Sequence, residues 1–143
     1  MARRRHLSLI AVMQTLFERE HRTDVDIEVV LQRNITELGE MDTEFAAILL
    51  KGVLEKEHDL WEIIALHAPG WTRERMDPIA RAVLLVGAFE LVYGNDAPAA
   101  VVINEAIEVA KEYCTDESGK FVNGVLNAIA HRSGQASDLK PKT

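Results

Sequence analysis

Apolar residues return at three- and four-residue steps over most of this chain, the period of helices that each bury one face. Leu9, Ile10, Met13, Leu16 and Phe17 line a first helix from about Leu7 to Glu20. Ile27, Val30, Leu31, Ile35 and Leu38 line a second, with Asp24 or Asp26 to cap it and Gly39 to stop it. Asp42 caps a third, long helix that carries Phe45, Ile48, Leu49, Val53, Leu60 and Ile64 as far as His67 and ends at Ala68-Pro69-Gly70. Trp71 to Met76 is a short link with room for one helical turn. Asp77-Pro78 starts the next helix, an acidic cap followed by a first-turn proline. Ile79, Ala82, Val83, Val86, Phe89 and Leu91 follow, and Leu84-Leu85-Val86 makes this helix apolar nearly all round, as at the centre of a fold.

Ala97 to Ala130 reads as a helical hairpin. Pro98 suits a first turn, where its missing N–H costs nothing. Val102, Ile103, Ala106, Ile107, Ala110 and Tyr113 form one face, opposite Asn104, Glu105, Glu108, Lys111 and Glu112. Ser118 is a good N-cap for the last helix, whose stripe is Phe121, Val122, Val125, Leu126 and Ile129. Gly124 inside that helix is expected where another backbone comes close, because glycine costs roughly 1 kcal/mol there relative to alanine; Asn123 can hydrogen-bond across the same contact. The pattern predicts an all-α protein with two small helical subdomains of about three helices each, 7–70 and 71–132, fused through a shared core within one domain over 7–132. Residues 1–6 form a basic N-terminal arm, and 133–143, which lack a core pattern, a disordered tail.

Composition narrows the function. At 143 residues, 48% hydrophobic and 27% charged, this is an ordinary globular chain. No apolar run approaches the roughly 20 residues needed to span a bilayer, and no signal-peptide core follows the basic start. Cys114 is the only cysteine, so no internal disulfide forms. A cytoplasmic protein without membrane contact is expected. The formal net charge is −7, although Arg3, Arg4 and Arg5 and a weakly basic tail are positive, so the body between them is more acidic still. Such a body repels phosphate over a broad surface and suits a basic protein partner. Nucleic-acid contact must then be local.

Enzymatic constellations are nearly absent: no phosphate-cradling glycine loop, nucleophile elbow or His-Glu-x-x-His pattern occurs. Glu18-x-x-His21 and Glu55-x-x-His58 have the spacing of di-iron bundles, where both side chains project inward. At about 100° per residue, Glu55 and His58 point away from Leu49, Glu18 falls outside its stripe, and His21 lies in a breaking segment, so neither a metal nor any other cofactor is expected. Cys114 has no residue spaced to activate it. The arginine run is the better lead, since successive guanidinium groups can pair with successive phosphates; its bland counterpart is a solubilising terminus. Lys120 and Phe121 can hold a phosphate and stack an unpaired base, although Phe121 is also in phase with the core. Trp61 and Trp71 can stack bases too, but they flank apolar segments and read as core or subdomain-interface residues.

Pro98-x-x-Val101-x-Ile103-Asn104-Glu105-Ala106-Ile107-Glu108-x-Ala110-Lys111, followed by Lys120-Phe121-Val122-Asn123-Gly124-Val125-Leu126, closely resembles the C-terminal signature of the NusB transcription antitermination family. Asp77-Pro78-Ile79-x-Arg81-Ala82-Val83-Leu84, Phe89-Glu90-Leu91 and Gln14-x-Leu16-Phe17 resemble its earlier helices, so the likeness spans about residues 3–130. The resemblance implies an all-helical, non-enzymatic RNA-binding factor. Its partners would be boxA-like single-stranded RNA, the ribosomal protein NusE, and RNA polymerase with other Nus factors, notably in ribosomal RNA transcription. It also implies RNA contacts at Arg3, Arg4, Arg5, Lys120 and Phe121, and a partner surface near Phe17, Glu74 and Arg81. Leu9 and Leu85 stand where members of that family usually carry arginine, and Ala80 where they carry an acid, which implies fewer phosphate contacts. These departures motivate the alternative: a protein-only helical scaffold or homodimer of the same fold with weakened or lost RNA recognition. The same module occurs ahead of RNA cytosine methyltransferase domains, but the chain ends before such a domain could begin, so methyl transfer is not expected.

Overall fold

The computed structural model describes residues 2–94 and 97–132, and all of its regular structure there is helical. The segment 133–143, expected to be a disordered tail, lies outside the described residues. The helices are α1 (Ala2–His21), α2 (Ile27–Leu38), α3 (Thr43–Glu55), α4 (Glu57–Leu66), α5 (Pro78–Val92), α6 (Ala99–Tyr113) and α7 (Asp116–Arg132), with a single 3-10 turn at Arg73–Arg75. No described helix is long and apolar enough to cross a membrane. The chain divides into two compact units, Met1–Glu55 and Lys56–Thr143, rather than near residue 70.

In the first unit, α1 packs against both α2 and α3. It starts at Ala2, five residues before the expected Leu7, because no proline, glycine or cap interrupts the arginine run. Ala11, Val12 and Thr15 are fully buried beside the expected Leu9, Ile10, Met13 and Leu16, so α1 is covered on more than one face. Asp26 caps α2, its carboxylate accepting from the Glu28 N–H at 3.1 Å, and Gly39 ends it with φ 109°, a conformation that favours glycine. The polar Asn34 is buried as well. Its Nδ2 donates to Thr15 Oγ1 at 3.0 Å, and Thr15 donates in turn to the Ala11 carbonyl at 2.7 Å, so the pair enters the core with its bonds made. Asp42 caps α3 through the Phe45 N–H at 3.0 Å.

The expected long third helix is two helices. Lys56 breaks it, with its ammonium 5.0 Å from the centre of the Tyr93 ring. Val53 and Leu60, both fully buried, are seven residues apart, almost two whole turns, so the stripe keeps its phase across the break and gives no sign of it. The buried face of α3 is Ala46, Leu49, Leu50 and Val53. Ile48, expected on that face, is 61% exposed.

In the second unit, α5 packs on α4, α6 and α7, and Ala82 to Ala88 are all buried, as its all-round apolar sequence requires. Asp77 caps it, accepting from the Ile79 N–H at 2.8 Å. α6 and α7 form the expected hairpin. Tyr113 is exposed, and Val109 takes its place in the stripe. The cap of α7 is Thr115 rather than Ser118: its hydroxyl accepts from the Ser118 N–H at 3.0 Å, and Asp116 and Glu117 place negative charge in the first turn.

Gly124 is not a close-contact residue. It is exposed, and a Cβ built there meets nothing within 4 Å. Asn123 likewise bonds to no other helix among the described residues; its carbonyl and its Oδ1 both accept from Asn127 Nδ2 within α7. The close approaches are at Gly87, where a Cβ would lie 2.8 Å from Leu126 Cδ1, and at Gly119, where it would lie 2.7 Å from Lys111 Cγ. Gly124→Ala is therefore expected to stabilise the protein by about 1 kcal/mol in urea unfolding, the helix-propensity difference unopposed by any clash.

Candidate nucleic-acid interface

The arginine cluster is built into the first unit rather than free of it. Arg4 and Arg5 belong to the first turns of α1. Arg4 Nη2 donates to the Met41 carbonyl at 3.1 Å, and the Arg5 guanidinium lies 5.0 Å from the centre of the Phe45 ring. Ser8 joins the same corner, its hydroxyl 3.0 Å from the Asp42 carbonyl. The Arg3 side chain lies outside the described residues. Positive residues at a helix start are unfavourable to the macrodipole, and these contacts offset that cost. The helix N–H groups and an exposed guanidinium there point the same sign of charge outward, a combination that attracts anions.

The two Glu-x-x-His pairs do not assemble a site. Glu18 is held by Arg33 and by Arg22, the latter at 3.2 Å, and these bonds, led by that to Arg33, keep its carboxyl below the usual range. His21 stacks on Phe17, the ring centres 4.5 Å apart. Glu55 is exposed, and exposed His58 pairs with Glu62 one turn on, at 3.4 Å. No group of three metal-ligating side chains comes together among the described residues.

In the second unit the expected pair Lys120 and Phe121 acquires company. Phe121 is half-buried, and the Trp71 ring lies against it with centres 5.0 Å apart and planes at 51°. Trp71 is 44% exposed, which corrects its reading as a core or interface residue. The Arg75 guanidinium stands 5.4 Å from the centre of the Trp71 ring. Trp61, by contrast, is only partly exposed and covered by Arg73 at 4.4 Å. An exposed tryptophan edged by a half-buried phenylalanine, with Arg75 over its ring and Lys120 next to Phe121 in the chain, offers an aromatic surface for stacking and charge for a backbone. Sequence periodicity assigns Phe121 to the core stripe; the sequence names Trp71 as able to stack a base but reads it as core or interface, and it gives no role to Arg75, because a link of six residues carries no period. The one available signal was the spacing of a tryptophan and an arginine four apart.

The residues implied for a protein partner divide between the units. Phe17 lies half-buried on α1. Glu74 is exposed on the 3-10 turn, and Arg81 Nη1 donates to the carbonyls of Arg73 at 2.8 Å and Met76 at 2.7 Å, tying that turn to α5. Leu9, Ala80 and Leu85 are all buried, so each serves as a core residue of its helix.

The profile of the NusB family matches residues 3–131. The chain belongs to the NusB family. A transcription antitermination protein NusB of Methylacidiphilum infernorum is 34% identical over 126 residues, 87% of this chain and 88% of that one. The solved NusB of T. maritima is 36% identical with a TM-score of 0.81, covering 89% of this chain and 90% of its own. A structure described as antitermination factors NusB and NusE in complex with dsRNA shares the fold, with a TM-score of 0.82 at 23% identity over 92% of this chain and 99% of that one. In the NusB fold the seven helices described above thus provide two candidate contact regions, one at the start of α1 and one where α7 meets the Trp71 link.

Proposed function

We propose that this chain is a transcription antitermination factor that binds boxA-type single-stranded RNA together with a ribosomal protein of the NusE kind, and acts on RNA polymerase with other Nus factors, notably in ribosomal RNA transcription. The observation that carries this reading is the contact of exposed Trp71 with half-buried Phe121, with Arg75 and Lys120 beside them, in a chain of the NusB family. Stacking on aromatic faces suits unpaired bases, and the neighbouring cations suit phosphates. The basic start of α1, with Arg4 and Arg5, supplies a second positive region in an otherwise acidic protein. Arg3 is assigned to the same contact on the strength of the family pattern alone. Phe17, Glu74 and Arg81 are assigned to the protein partner, and the net charge of −7 favours association with a basic ribosomal protein.

Fluorescence titration of a labelled boxA strand, with and without the ribosomal partner, tests the reading. Binding that tightens with the partner and weakens steadily with salt is the expected result. A chain that binds neither the strand nor the partner at any salt concentration would favour the protein-only scaffold instead.

A further inference from the structure

A cleft of about 230 Å³ opens between α6 and α7, lined by Ile107, Lys111, Asp116, Gly119, Lys120 and Asn123. Its shape depends on Gly119. That residue is buried, and a Cβ there would come 2.7 Å from Lys111 Cγ and 3.2 Å from Cδ, so the lysine stem occupies the place of the missing side chain. Lys111 is thereby laid across α7, and its charge shares a cleft with that of Lys120 one helix away. Neither ammonium is paired with a carboxylate among the described residues, although Asp116 lines the same cleft. Asn123 adds a directed donor. Its Oδ1 and carbonyl are both taken by Asn127 Nδ2, which leaves its own Nδ2 hydrogens without a partner among the described residues. All three side chains face solvent, so two positive charges and an amide donor line one open cleft, and a single tetrahedral oxyanion can accept from all of them.

We propose that this cleft is a phosphate seat, in which Lys111, Lys120 and Asn123 hold a backbone phosphate of the RNA strand whose base stacks at Phe121. The assignment rests on the RNA-binding reading for the source of the phosphate, but not for the seat itself. Lys120 lines the cleft and precedes Phe121 in α7, so the cleft and the ring lie along the same turn of one helix. The seat gives α6 a role in binding that its amphipathic pattern does not suggest, and makes Gly119, rather than Gly124, the glycine of α7 that admits a close neighbour, the Lys111 stem.

Salt-dependent titration of the single strand is the test. Lys111→Gln is expected to weaken binding roughly threefold at low salt, as for one exposed ion pair, and to make the plot of log affinity against log salt shallower by about 0.7. Gly119→Ala, which displaces the Lys111 stem, is expected to shift both in the same direction, while Lys111→Arg keeps them near wild type; circular dichroism checks that each variant folds. A Lys111→Gln slope equal to wild type, in a protein whose binding Phe121→Ala still weakens, overturns the seat and leaves the RNA reading standing. If the wild type binds no RNA, that reading fails, and titration with inorganic phosphate decides the seat alone. Shifts of the Asn123 side-chain amide and Gly119 N–H resonances that vanish in Lys111→Gln support it, and unshifted resonances overturn it.

Discussion

Shortening Leu126 to alanine is expected to destabilise the protein by about 2–5 kcal/mol in urea unfolding. The side chain is fully buried, and its two methyl groups fill the space left by the missing side chain of Gly87 on α5, where a Cβ would stand 2.8 and 3.1 Å from them. Leu126 thus holds α5 against α7 by shape as well as by area removed from water. The same geometry makes Gly87→Ala costly. Its methyl group overpacks the contact by about 1–3 kcal/mol against a gain of about 1 kcal/mol in helix propensity, a net loss of up to about 2 kcal/mol. The two changes are coupled in sign. In Gly87→Ala/Leu126→Ala the new methyl enters the space vacated by the leucine, so the double variant should be more stable than the sum of the single losses allows. Strict additivity would mean that the two residues do not share this contact.

How much of this was legible beforehand depended on whether a feature has a period. The helices α2, α5 and α6 were readable because caps and stripes agree: Asp26 and Gly39 bound α2, and Asp77 with Pro78 starts α5. The start of α1 was misplaced because a polar run such as Arg3-Arg4-Arg5 has no hydrophobic phase, yet has good helix propensity. The break at Lys56 was invisible because seven residues nearly complete two turns and preserve the phase of Val53 and Leu60. Glycines were the plainest failure. Sequence marks Gly124, Gly119 and Gly87 alike as helix-weakening residues, and only the placement of Lys111 and Leu126 separates the two that admit a neighbour from the one that admits nothing. Within the candidate site, Lys120 and Phe121 came from a motif, whereas Trp71 and Arg75 lie in a link whose packing on α7 is a tertiary fact.

Removing either ring of the Trp71–Phe121 pair is expected to weaken single-stranded RNA binding by about 1–3 kcal/mol, the range for loss of one base–aromatic stack. That corresponds to roughly fivefold to 150-fold in dissociation constant. Trp71→Ala is the cleaner variant because the ring is 44% exposed; Phe121 is half-buried, so Phe121→Leu keeps its packing while removing the aromatic face. Both changes remove stacking and leave charge untouched, so the salt slope should stay at its wild-type value. Arg75→Gln should do the reverse if its guanidinium reaches a phosphate: a shallower slope with a modest loss at low salt. The rings lie 5.0 Å apart, and each limits the positions open to the other. Their joint removal should therefore cost less than the two single losses added together. A protein-only scaffold makes none of these distinctions: there, neither ring nor guanidinium changes RNA affinity or its salt slope, and Trp71→Ala is felt only in thermal unfolding. The separation of ring loss from charge loss in the salt plot is what ties the Trp71–Phe121 surface to RNA rather than to packing.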